Sequence, residues 1–192
     1  LRRGATDARG TLLAPVWIPA PTGSGGEVRA WTIDRRGGQI VREIGRYGTR
    51  PTVHASAVDA GANLLVALAH AGGVDLFRVE AATPAEIPAR GVRVVPAAAG
   101  WRAAALAFDV LPEAEDRPGG LSLLTVLLSN PGETTPQYRA VWTDLNGKIR
   151  SDSGPLPWAM KGDVVDLLPR AAAPFYVLDE VDMVLLMTVN PG

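Results

Sequence analysis

Two ten-residue stretches, Leu123 to Gly132 (LLTVLLSNPG) and Met183 to Gly192 (MVLLMTVNPG), carry one pattern, with Asn130 and Asn190 60 residues apart. An unbroken apolar run closed by Asn-Pro-Gly reads as a buried strand entering a turn. A second pair repeats a hairpin. Val28-Arg29-Ala30 leads through Asp34 to Gly37-Gly38-Gln39-Ile40, and Tyr138-Arg139-Ala140 leads through Asp144 to Asn146-Gly147-Lys148-Ile149. Asn146-Gly147 and Gly37-Gly38 both accept positive φ, which a two-residue type I′ hairpin turn requires. Val74 to Glu80 followed by Ala85 to Arg90 is a looser third copy.

These signals predict four groups of short strands at approximately 11–45, 52–89, 101–153 and 173–192. The strands are Thr11 to Ile18, Glu27 to Asp34 and Gln39 to Gly45; Thr52 to Asp59, Asn63 to Ala69, Gly73 to Glu80 and Ala85 to Ala89; Trp101 to Leu111, Leu121 to Ser129, Gln137 to Asp144 and Lys148 to Ser153; and Ala173 to Asp179 and Asp182 to Asn190. The groups thus hold three, four, four and two strands. Asn63 to His70 and Asp163 to Arg170 also fit a turn of helix, because a short apolar run has no decisive period; the neighbouring turns favour strands. The whole of 1–192 reads as one β-repeat domain.

Groups of about four strands at roughly 40 to 60 residues resemble the blades of a β-propeller, whose repeats run to about 40 to 50 residues. The resemblance implies an all-β, propeller-like array of four-stranded antiparallel blades, incomplete at its ends. No Trp-Asp or kelch-type signature accompanies it. Arg150 to Trp158 (RSDSGPLPW) resembles the Asp-box turn of sialidase-like propellers in Asp152, Gly154 and Trp158, with the serine one place too close and the tryptophan one too far. A β-sandwich is the alternative, since short strands with regular turns also suit two packed sheets. The second Asn-Pro-Gly copy ends where the first continues. The chain is therefore expected to belong to a longer polypeptide, or to a complex whose other chains cover the bare blade faces.

Composition narrows the partners. Hydrophobic residues make up 47%, enough for a real core. With 19 basic against 20 acidic residues and a net charge of −1, no summed field draws in nucleic acid. The apolar runs are far short of the roughly 20 residues of a membrane helix. The absence of cysteine removes disulfides, thiolate metal sites and a cysteine nucleophile. The alanine and arginine usage suggests a GC-rich, bacterial source.

Catalytic constellations are wanting. His54 and His70 have no metal-ligand spacing. Asp179, Glu180 and Asp182 lack the alternating calcium-loop pattern and suit a hairpin turn. Thr22 to Gly26 (TGSGG) lacks the lysine of a phosphate loop, and no serine sits in a nucleophile elbow. No catalytic residue, cofactor or metal site is expected. The polar loop Pro112 to Gly120, with Glu113, Glu115, Asp116 and Arg117, is the longest insertion and the expected contact surface. Trp101 and Trp158 flank loops and suit stacking on a sugar or a partner, whereas Trp31 and Trp142, offset by one position in the paired hairpins, are expected to face opposite sides of their sheets and to fill space between blades.

The expected function is a non-catalytic, extracytoplasmic scaffold or protein-interaction module within an assembly of other protein chains. The alternatives are a glycosidase-like carbohydrate-active enzyme, which needs two carboxyl groups about 5 to 10 Å apart in a cleft, and a carbohydrate-binding module with aromatic rings flat on one surface.

Overall fold

The computed structural model describes residues 5–6, 12–33, 37, 39–51, 53–59, 61, 63–80, 89–111, 120–129, 137–155, 164–168, 175–179 and 184–187. Among them every regular element is a strand, and within each of four sheets the strands lie side by side in chain order. Sheet 1 holds β1 (Ala5–Thr6), β2 (Leu12–Pro19), β3 (Gly26–Ile33) and β4 (Gln39–Tyr47). Sheet 2 holds β5 (Val53–Val58), β6 (Leu64–His70), β7 (Gly73–Val79) and β8 (Arg90–Pro96). Sheet 3 holds β9 (Trp101–Leu111), β10 (Gly120–Ser129), β11 (Tyr138–Thr143) and β12 (Ile149–Asp152), and sheet 4 holds β13 (Val164–Leu168), β14 (Phe175–Asp179) and β15 (Val184–Met187).

The protein is all-β, and among the described residues no sheet closes on itself. Among the described residues the four sheets hold four, four, four and three strands, against three, four, four and two in the predicted groups. Sheet 1 gains the two-residue β1, and sheet 4 gains β13, resolving the ambiguity at Asp163 to Arg170 in favour of strand. The fourth described strand of sheet 2 is β8, which begins just after the predicted Ala85 to Ala89. Ala89 precedes it without belonging to it, and 85–88 lie outside the described residues.

The chain divides into two units, Leu1–Arg93 and Val94–Gly192, with the division inside β8. In the first unit, alternation along β3 and β4 sends Val28, Ala30, Arg42 and Ile44 inward. The apolar members of this set meet Leu64, Val66 and Leu68 of β6 and Phe77 and Val79 of β7, with Trp17, Tyr47, Val58 and Ala89 at the margin. Hydrogen bonds among the described residues tie the sheets together. Arg42 Nη1 donates to the Glu80 carbonyl at 3.1 Å, and the Ala89 N–H donates to the Glu43 carbonyl at 3.2 Å. The first strands of the two sheets, β1 and β5, also lie beside each other.

Strand β6 is buried from Leu64 to Ala69 without alternation, so both faces of sheet 2 are covered there. In the second unit, Ser122 to Ser129 of β10 are likewise all buried, with Leu123 and Leu124 fully so. A register shift between Val126 and Leu127 marks a β-bulge against β9. Here too the first strands of the two sheets, β9 and β13, adjoin.

The turn at Asn146-Gly147 differs from the two-residue type I′ turn that the sequence predicts. The Asp144 N–H donates to the Lys148 carbonyl at 2.9 Å, so the loop has three residues, with Gly147 at φ 87°. Asp144 Oδ1 accepts from the N–H groups of Asn146 and Lys148, at 2.8 and 2.9 Å. The β5–β6 turn repeats this device, Asp59 Oδ1 accepting from the N–H groups of Gly61 and Asn63, both at 2.9 Å. An aspartate that occupies these amides competes with longer hairpin pairing and selects the three-residue loop.

Candidate functional site

Two places in the described structure gather functional side chains. The first is a polar cluster at the β6–β7 turn. His70 Nδ1 accepts the Gly72 N–H at 3.1 Å, which leaves the proton of the neutral ring on Nε2, 2.9 Å from Asp75 Oδ2. Arg93 of β8 donates Nε to Asp75 Oδ1 and Nη1 to the Gly72 carbonyl, and its Nη2 lies 3.4 Å from His70 Nε2. The Tyr47 ring packs on His70 with centroids 4.9 Å apart and an interplanar angle of 55°. Burial, followed by the nearby Asp75 carboxylate, pushes the Tyr47 phenol well above its ordinary range, against the opposing effect of Arg93. Its hydroxyl is buried without a hydrogen-bond partner among the described residues.

Both imidazole nitrogens and both Asp75 oxygens are engaged. The cluster therefore clamps the β6–β7 turn to β8 and offers no free base. Among the described residues no group of three histidine, aspartate or glutamate side chains could hold a metal ion.

His54 of β5 lies on the same face as Leu68 and Asp75. Burial leads in lowering its pKa from the ordinary 6.5, and the charge of Arg50 adds to it. The folded chain therefore takes up a proton at His54 less readily than the unfolded chain. The stability this gives is present in full above 6.5 and is lost as the pH falls through that value toward the folded pKa. The urea midpoint is expected to drop between about pH 7 and pH 5.5, and His54→Gln is expected to flatten that slope. An unchanged slope in the variant would assign the loss to another group. Two carboxylates, Asp152 and Asp59, shift away from this window. The hydrogen bond from Arg139 leads in holding Asp152 below 3.8. For Asp59, burial pushes upward, but the bonds from Asn63 and Gly61 and the charge of Arg78 outweigh it.

The second place is the outward face of sheet 1. Register aligns three cross-strand rows on it: Ala14, Trp31 and Val41; Val16, Arg29 and Glu43; Ile18, Glu27 and Arg46. Trp31 is 40% exposed, Val41 39% and Ile18 37%, so the apolar members of a ladder that would ordinarily be covered stand in solvent. Glu27 pairs with Arg29, and Arg46 reaches Glu43 at 3.0 Å and Glu27 at 3.9 Å. A β-bulge between Val28 and Arg29 sets this arrangement. It places Ile44 and Gly45 together opposite Val28 and so brings Arg46 onto the outward row of Glu27.

Of the contact residues expected from the sequence, Trp101 is half-buried at the start of β9, its N–H donating to the Ala98 carbonyl at 3.0 Å. Glu113, Glu115, Asp116, Arg117 and Trp158 lie outside the described residues. In the Asp-box-like segment, Asp152 Oδ1 accepts the Gly154 N–H at 2.9 Å and its carboxylate pairs with Arg139. Trp142 is buried as expected of a space-filling ring, but its counterpart Trp31 faces outward. No helix among the described residues is long and apolar enough to cross a membrane.

No protein-family model, curated protein or solved structure matches the chain.

Proposed function

We propose that the chain is a non-catalytic, β-propeller-like scaffold, a protein-interaction module that works within a larger assembly. The observation that carries this reading is the uncovered ladder of Ala14, Trp31 and Val41 on the outward face of sheet 1, in a fold whose strands β6 and β10 are buried on both faces. Aromatic and aliphatic side chains left in solvent on a flat sheet mark a contact surface. The propeller likeness is supported by the four chain-ordered meanders and by the adjoining first strands, β1 beside β5 and β9 beside β13. Inner strands of neighbouring blades meet in this way around a propeller axis. Protein is favoured over carbohydrate as the partner, because Trp31 is the one aromatic in the three described rows, and a sugar platform needs more than a single ring.

A photoreactive phenylalanine analogue at position 31 tests this in cells of the source. An adduct that Val41→Lys abolishes is expected. No adduct, or specific retention on immobilised glycans that Trp31→Ala abolishes, would overturn the reading.

A further inference from the structure

We infer that the outward face of sheet 1 pairs with the same face of a second copy, forming a two-fold symmetric dimer; this deepens the interaction reading above and rests on it. The inference comes from the order of charges on the face. Arg29 stands beside Glu43 on one cross-strand row, and Glu27 stands beside Arg46 on the next. On β3 and β4 the four form a checkerboard of alternating sign, with a net charge of zero. The apolar pair Trp31 and Val41 continues the same two strands in the adjoining row.

A two-fold axis running along the strand direction between β3 and β4 exchanges the two strands and keeps each row in place. Under that rotation Trp31 packs on Val41 of the second copy, Arg29 faces its Glu43, and Glu27 faces its Arg46. Apolar meets apolar and every charge meets its opposite, which is what an isologous contact requires of one surface. A patch of single sign would repel its own copy, and a patch with like charges sharing a row could not match under this axis. Packing two sheets with nearly aligned strands is also an ordinary arrangement, at about 30° and roughly 10 Å. Ala14, Val16 and Ile18 of β2 fall to the rim under this axis.

Sedimentation equilibrium on the purified chain, with paired charge reversals, tests the geometry. The wild type is expected to dimerise, and Trp31→Arg to weaken the dimer about a hundredfold. Arg29→Glu alone and Glu43→Arg alone are each expected to be monomeric, because each homodimer opposes like charges twice. Mixing the two variants in equal amounts is expected to restore a dimer, since reversed Arg29 then meets reversed Glu43 while the other contact stays native. A circular dichroism spectrum matching the wild type is required of each variant before mixing, so that a lost dimer is not read from a lost fold. A dimer insensitive to Trp31→Arg, or a mixture that stays monomeric, overturns the inference. A monomeric wild type overturns it as well. In that case the crosslink at position 31 separates the two readings: an adduct heavier or lighter than a second copy leaves the interaction module standing, and no adduct removes both.

Discussion

Leu124→Ala is expected to lower stability by about 3 kcal/mol, at the centre of the range for truncating a fully buried leucine. Leu124 has no exposed surface and stands on β10 between Trp142 of β11 and Ala107 of β9, both themselves buried. Neighbours held on both sides by backbone pairing collapse poorly into the space left by the missing methyl groups, so the cavity adds to the lost transfer energy. The check is a urea titration against Val110→Ala. Val110 is 56% exposed on the same sheet and is expected to change stability by no more than about 0.5 kcal/mol. A loss below about 1 kcal/mol at Leu124 would mean that sheet 3 is not packed on both faces as described.

Gly26→Ala is expected to be comparably damaging for the opposite reason. A β-carbon there would stand 2.5 Å from the Ile18 carbonyl oxygen and 2.5 Å from the Trp17 ring. Neither can step aside cheaply, because the carbonyl belongs to a paired strand and the indole fills the margin of the core between sheets 1 and 2. Overpacking of this kind costs about 1 to 3 kcal/mol. Gly48 is the control, since a β-carbon there meets nothing within 4 Å. Gly48→Ala is expected to be neutral or to stabilise by about 0.5 kcal/mol, through the unfolded chain's lost freedom. Equal effects at the two glycines would show that Trp17 does not lie over Gly26.

What the sequence reveals of this fold follows burial. Strands β6 and β10 are legible because LLVALAH and GLSLLTVLLS are predominantly apolar, and Trp101–Leu111 is found at its true bounds. Strand β8 is not legible. Its residues Arg90, Gly91, Val92 and Arg93 are exposed and only Val94 and Val95 are buried, so no alternation announces it. Strand β1 is two residues long and carries no pattern, and VVDLL of β13 suits helix and strand alike. The turn at Asn146-Gly147 is correctly located but mistyped, because the Asp144 carboxylate and not the Asn-Gly pair decides its length.

The outward face of sheet 1 was beyond sequence reasoning for a sharper reason. Composition shows Trp31, Arg29 and Glu43, but which of them share a face depends on register, and register here is shifted by one bulge. The clamp of His70, Asp75 and Arg93 is hidden in the same way. His70 and Asp75 are five residues apart across a tight turn, while Arg93 comes from the other side of the segment 81–88. Neither arrangement has a linear motif.

Every described strand finds a hydrogen-bonding partner next to it along the chain, and pairing is therefore expected to precede stacking when the chain folds. Closing a short hairpin takes microseconds and loses little loop entropy, so pairing within each meander is not the slow step. The barrier falls instead on stacking, when Val28, Ala30 and Ile44 must find Leu64, Val66 and Leu68 with their side chains already committed to one side of a pleat. A sheet whose bulge has slipped by one residue would still pair, yet it would offer the wrong face to its neighbour. The bulge at Val28 and Arg29 thus acts as a checkpoint that pairing alone does not enforce.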